Sequence, residues 1–236
     1  MILEQKRQEQ IAKNLAGVDL PGYKRAYTVS SSFEDTFKNQ KETPGNLKGV
    51  DSGVEMVDMT QGMIRATNRK LDFAIEGKAF FEVEGPNGQR LLTRNGAFHL
   101  NGAGVLTTSE GYKVGGNIQF NPTHNLNTIQ VTPAGKITVL DGGIITEIGS
   151  LQLTEVKNDQ DLERLSASYF TAKGNRRSTA TEGSYIVRGG CLEMANHSPI
   201  KTMTEMIQSQ REFEMDQKVL KMLEDRFRQE MMKMGV

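Results

Sequence analysis

The pattern of apolar and polar positions changes character three times along this chain. At the start Ile11, Leu15 and Val18 recur at spacings of four and three, which lines them along one side of a helix running from Met1 to about Val18. Glu4 and Gln8 hold the positions that would carry the stripe upstream, so this helix is expected to be weak by itself. Gly17 and then Pro21-Gly22 end it. Glycine suits a left-handed cap, proline cannot extend a helix, and Pro-Gly favours a type II turn. Residues 26 to 60, with the polar run "SSSFEDTFKNQKETPGN", show no sustained period and predict a mostly extended connection.

From Leu71 to about Glu193 the period shortens. "LDFAI", "AFFEV", "RLLTR" and "AFHL" follow one another with "GPNG" and "NGAG" as turns, and "TIQVT", "KITVL" and "SLQLTEV" continue the series around "PAG" and "DGG". Short strands at this spacing predict a mainly antiparallel β-domain of irregular barrel or sandwich type. After "NHSP" the helical period returns. Ser198 can cap and Pro199 suits the first helical position. Met206, Phe213, Leu220 and Phe227 recur every seven residues, with Met203, Ile207, Leu223 and Met231 beside them, over a helix from Pro199 to about Lys233. Glu214 with Lys218 and Glu224 with Arg228 add i,i+4 pairs worth roughly 0.2–0.5 kcal/mol each. Gln210, Gln217 and Glu224 fill the alternate column, so the seam is half polar and calls for a specific partner.

Composition narrows the function classes. The 236 residues carry 29 basic and 29 acidic side chains, a formal net charge of zero, which gives no bulk attraction to nucleic acid or anionic lipid. Cys191 is the single cysteine, so a disulfide framework and a multi-cysteine zinc site are both excluded, and the thiol is expected to serve as a small buried apolar residue. No apolar run reaches the roughly 20 residues of a membrane-spanning helix. The charged start "MILEQKRQEQIAKN" is unlike a cleavable secretion signal. His99, His124 and His197 are far apart and are expected on surfaces or turns rather than on a metal. "NGAGVLTTSEGYKVGG" lacks the Lys-Ser/Thr of a phosphate loop and predicts β-turns. Asp72 with Glu76, and Glu82 with Glu84, are expected on the solvated face of strands rather than as an acid-base pair, and "GNRRS" around Arg176 and Arg177 as a solvated turn. No nucleophile, base and orienting group can be assembled, so no enzyme and no cofactor is expected.

A β-rich middle between two terminal helices resembles the bacterial flagellar axial proteins, the rod and hook family, and three stretches carry the resemblance. "IAKNLAGVDLPGYKR" is similar to the family's N-terminal signature. "LDFAIEGKAFFEV" with "LLTRNGAFHLNGAGVLTTSEGYKV" is similar to its central block. "GCLEMANHSPIKTMTEMIQSQREFEMDQKV" is similar to its C-terminal signature. The modest length resembles the basal-body rod members rather than hook protein, and "REFEMDQKV" resembles the proximal rod members of the F type, with the distal G type next.

The resemblance implies a mixed α and β fold in which the N- and C-terminal helices pair as a coiled coil lining a hollow polymer and the β-domain faces outward. It divides the chain into an N-terminal helix and turn (1–25), an extended connector (26–70), a central β-domain (71–195) and a C-terminal helix (196–236). Helix pairing and assembly would rest on Ile11, Asn14, Leu15, Pro21, Gly22, Met203, Met206, Ile207, Phe213, Leu220, Leu223 and Phe227. Implied partners are the chain itself, the proximal and distal rod proteins and the flagellar type III export apparatus, with no nucleic acid and no membrane insertion. The implied location is the periplasmic part of the basal body, reached without a cleaved signal. Gln8 and Gln10 stand where the family places apolar residues, which implies a weakened first helix. A rival reading, a non-catalytic β-module binding peptidoglycan or another cell-wall partner, would need an aromatic platform, and Trp is absent.

Overall fold

The computed structural model describes residues 2–29 and 54–233, apart from 122–123, 125, 142, 157, 159–160, 173–176 and 182. Most of the predicted connector, 30–53, and Arg176 of the basic loop lie outside the described residues. Helix α1 spans Ile2–Gly17 and helix α2 spans Pro199–Lys233, with β-structure between them. The chain divides into two compact units, one made of 1–16, 26–58 and 198–236, the other of 17–25 and 59–197.

In the first unit α1 meets α2 through polar groups. The Ser209 hydroxyl donates to Glu4 Oε1 at 2.7 Å, Gln8 Nε2 donates to the Ser209 carbonyl at 3.3 Å, and Arg7 pairs with Glu212 at 3.0 Å. Ser209 and Thr202 are buried on this face of α2. On α1, Ile11, Gln10 and Asn14 are buried and Leu15 is half-buried. The strand Ala26–Val29 pairs antiparallel with Val54–Val57 and completes the unit.

The second unit is mainly β, with short 3-10 turns at Pro86–Gly88 and Leu126–Thr128, and every strand pairing among its described residues is antiparallel. Its largest sheet has nine strands and runs through Phe80–Glu84 and Arg90–Thr93 at the centre. A three-stranded sheet orders Ile129–Val131, Lys136–Asp141 and Ile144–Ser150, and two further pairs join Tyr185–Gly189 to Phe73–Gly77 and Cys191–Glu193 to Ile64–Ala66. Alternate residues of these strands converge on one core. Phe73, Ile75, Phe81, Val83, Phe98, Leu106, Ile118, Ile137, Val139 and Val187 are all buried in it, and the Phe81 and Phe98 rings meet edge to face at 5.2 Å. Gly96 is required here, because a Cβ on it would stand 1.7 Å from the Phe73 carbonyl oxygen.

Three expectations are corrected. Asp72 and Glu82 are buried rather than solvated. Asp72 accepts from the Thr67 hydroxyl at 2.7 Å and faces Arg69 at 3.4 Å; Glu82 accepts from the Thr154 hydroxyl at 2.8 Å and faces Arg90 at 3.4 Å. Neighbouring strands cover both sides of these positions, so alternation alone does not send a carboxylate to solvent. Cys191 is half-exposed rather than buried, and Arg177 lies in the strand Arg177–Thr179 rather than in a turn.

Candidate functional site

The turn after α1 belongs to the β unit because three of its residues are tied into it. The Gly22 N–H donates to the Glu193 carbonyl at 2.7 Å, and Gly22 adopts φ +70°, with the Arg94 backbone so close that a Cβ would approach its carbonyl carbon at 2.3 Å. Only glycine satisfies both conditions. Next in sequence, Tyr23 is buried: its ring packs on Gly17, faces His197 at 5.6 Å and lies under the Arg164 guanidinium at 4.8 Å. Arg164 also donates to the Lys24 carbonyl.

Lys24 itself has no exposed surface. Its ammonium donates to Glu193 Oε1 at 2.6 Å and to the Thr60 carbonyl at 2.7 Å. The same carboxylate oxygen accepts from the Gly62 N–H at 2.9 Å, and the other oxygen faces Arg94 Nη1 at 3.4 Å. Arg94, 3% exposed, donates to the Gly77 carbonyl at 2.8 Å and lies 4.6 Å over the Phe80 ring. Two cations around one carboxylate, all stripped of water, hold together only when hydrogen bonds and a ring face offset the lost hydration; the carbonyls of Thr60 and Gly77, the Gly62 N–H and the Phe80 ring do so in part, while Arg94 Nε is buried without a hydrogen bond. Three residues on, Asn196 clasps the turn from outside. Its Oδ1 accepts from the Arg25 N–H at 2.8 Å, its Nδ2 donates to the Thr60 carbonyl at 3.2 Å, and its own N–H donates to the Tyr23 carbonyl at 3.4 Å.

This cluster draws one charged residue from each of three stretches: Lys24 from "PGYKR", Arg94 from "LLTRNG" and Glu193 from "GCLEMAN". The arrangement locks a chain crossing. It offers no nucleophile or base to a substrate, and among the described residues no group of three or more His, Cys, Asp or Glu is arranged to hold a metal ion. Sequence reasoning picked Pro21 and Gly22 but not Lys24, Arg94, Glu193 or Asn196. The signal available was three charges each flanked by apolar or turn residues, with opposite signs.

In the first unit Asn14 makes an analogous clasp: its Nδ2 donates to the Ala26 carbonyl at 2.7 Å and its Oδ1 accepts from the Ala26 N–H at 3.0 Å. This pins the end of α1 to the strand that resumes after the turn. The positions named on α2 lie differently. Phe213 is half-buried, while Met203, Met206, Ile207, Leu220, Leu223 and Phe227 are exposed, Phe227 at 71%. At 1.5 Å per residue α1 is about 24 Å long and α2 about 52 Å, so α1 spans less than half of it. Seven-residue spacing puts Leu220 and Phe227 in line with Phe213 on α2, and the charged contacts to Arg7 and Glu4 stop at Glu212.

A β unit with its entry and exit segments clasped together, and two terminal helices gathered in a separate unit, define a mixed α and β structural class of protein. Comparison with known proteins specifies it. A family described as "Flagellar hook protein FlgE/F/G D1 domain" matches residues 74–139, and one described as "Flagellar basal body rod FlgEFG protein C-terminal" matches 188–234. The chain is 30% identical over 239 residues to the flagellar basal-body rod protein FlgG of Agrobacterium fabrum, covering 93% of this chain and 90% of that one. It is 30% identical over 241 residues to FlgG of Borreliella burgdorferi, with the same coverage, and 26% identical over 223 residues to the rod protein FlgF of Buchnera aphidicola from Schizaphis graminum, covering 92% and 87%. The chain belongs to the flagellar basal-body rod FlgE/F/G family, whose members are structural and non-enzymatic.

Proposed function

We propose that this chain polymerises, with its own copies and with other rod proteins, into the hollow shaft that carries torque from the flagellar motor to the hook and leaves a channel for exported subunits. In this reading the chain reaches the periplasmic basal body through the flagellar type III exporter. The single observation that supports it most is the second half of α2, where Leu220, Leu223 and Phe227 are exposed in line on one face. Apolar residues at helical spacing without cover in one chain mark a surface meant for helices of neighbouring chains. Asn14, Leu15, Pro21 and Gly22 mark where the chain leaves the inner tube, and Ile11, Met203, Met206, Ile207 and Phe213 extend the pairing face.

The test keeps the full chain and changes only exposed positions. Leu220→Asp with Phe227→Asp leaves the free chain as stable as the parent, but the variant is absent from purified hook–basal bodies and the cells do not swim. Normal motility with the variant present in the rods would overturn the proposal.

A further inference from the structure

The hairpin formed by Lys136–Asp141 and Ile144–Ser150 carries apolar residues on both faces of its tip. Leu140 stands opposite Ile145 on one face, and Ile144 stands opposite Asp141 on the other; Leu140 is 41% exposed and both isoleucines 71%. Lower in the same hairpin Ile137 and Val139 are buried in the core, so the tip protrudes past it. Ile144–Ser150 is also the outer strand of its sheet, with one edge unpaired among the described residues. A two-sided apolar tip is shaped for insertion rather than for lying on a flat surface.

At the opposite edge of that three-stranded sheet lies a cleft of ≈ 460 Å³, in the size range of ordinary binding clefts. Its lining mixes the apolar Ala66, Val131 and Cys191, and the largely covered Phe73 and Ile129, with Asn68, Lys70 and Gln130. Among the described residues Lys70 is the one charged residue lining the cleft, and the tip carries Asp141, whose carboxylate lies 3.9 Å from His124 Nε2 of its own chain, while Glu147 lower in the hairpin faces Lys136 at 3.9 Å. The tip joins the second and third strands of the sheet while the cleft lies against the first, Ile129–Val131, so the hairpin cannot fold back into its own cleft.

We propose that Leu140, Asp141, Ile144 and Ile145 at the hairpin tip of one copy of this chain enter the cleft beside Cys191 of a second copy, with Asp141 brought to Lys70. Different surfaces meet in this contact, which therefore propagates head to tail instead of closing as a twofold dimer. It rests on the reading of the chain as a polymerising rod subunit.

The lone cysteine makes the contact directly testable. Ile145→Cys is expressed in place of the parent chain, hook–basal bodies are purified, and a mild oxidant is applied. A disulfide needs Cα atoms within about 7 Å, so a 145–191 link forms only if the tip is seated. The expected result is a reducible species of twice the chain mass, lost on adding Cys191→Ala and absent for the control Leu165→Cys, whose position is 50% exposed. Lys70→Glu lowers its yield several-fold, and Asp141→Lys in the same chain restores it. A chain present in the basal bodies without the 145–191 link, or cross-linked through Cys191 to a different protein, overturns the contact and leaves the rod reading standing. A chain missing from the basal bodies overturns both.

Discussion

Replacing Glu193 with Gln keeps the volume of the side chain and removes the one negative charge between Lys24 and Arg94. In the parent the 2.6 Å contact of Lys24 with Glu193 is worth about 6 kcal/mol of Coulomb attraction at an effective dielectric of about 20, most of it offset by the cost of removing both ions from water. The variant retains that desolvation cost for Lys24 and Arg94 and loses the attraction. Breaking one side of such a pair costs about 3–5 kcal/mol, a large share of the roughly 5–15 kcal/mol that holds a typical domain folded. Four of the five tyrosines, Tyr23, Tyr112, Tyr169 and Tyr185, lie in the β unit that contains the cluster, so urea unfolding followed by tyrosine fluorescence reports on it. With an m-value of about 2 kcal/mol/M the midpoint falls by about 1.5–2.5 M. Lys24→Met costs less, because Arg94 and the Gly62 N–H still face the carboxylate. The double variant Lys24→Met/Glu193→Leu recovers much of the loss, as apolar replacements of buried pairs do. A Glu193→Gln midpoint within about 0.5 M of the parent, or strict additivity in the double variant, would refute the reasoning.

Three further outcomes are expected. Asn14→Ala leaves the buried Ala26 N–H and carbonyl without the amide that serves both, costing about 1–3 kcal/mol and detected as earlier loss of helical circular dichroism on heating. Gly22→Ala strains a backbone at φ +70° and drives a methyl group into Arg94, so it lowers stability by at least about 1–3 kcal/mol in the same urea assay, and Asn at that site is no better because the close approach remains. Burial pushes the Glu110 carboxyl up, but hydrogen bonds from the Tyr169 hydroxyl, its own backbone N–H and the Ser109 and Thr108 side chains outweigh it and hold the carboxyl below its usual range. A carboxyl depressed in the folded state stabilises fully above about pH 4.5 and loses that contribution as pH falls through its lower folded value. Tyr169→Phe is therefore less stable than the parent near neutral pH, and urea midpoints of the two converge in acid by the share that Glu110 carries.

The parts of the fold legible from sequence were those with strong local periods. The Pro199–Lys233 helix follows from its heptad and its proline start, and the strand pair 80–84 with 90–93 from alternation broken by "GPNG", whereas the strand Ile144–Ser150, whose "IITEIGS" does not alternate, is not among the segments read before "SLQLTEV". Long-range pairings left no such mark. That Phe73–Gly77 pairs with Tyr185–Gly189, or Ile64–Ala66 with Cys191–Glu193, depends on where chain segments more than a hundred residues apart meet, and no local pattern encodes it. The same distance hid the clasp. Lys24, Arg94 and Glu193 carry no local mark of burial, and only the fold brings them together out of water. Asp72 and Glu82 misled for the related reason that strands on both sides cover them. On α2 the sequence showed the apolar column, but the residues α1 meets in the chain are Ser209 and Glu212, which lie in no apolar period.

The central claim is that the terminal helices complete their packing only between subunits. Amide hydrogen exchange, compared between the free chain and purified rods, tests it most directly. The account predicts slow exchange over the clasped turn 17–25 and the strands between 64 and 193 in both states, and fast exchange over 214–233 in the free chain that becomes slow in the rod. Equal protection of 214–233 in the free chain, or no gain on assembly, would contradict it.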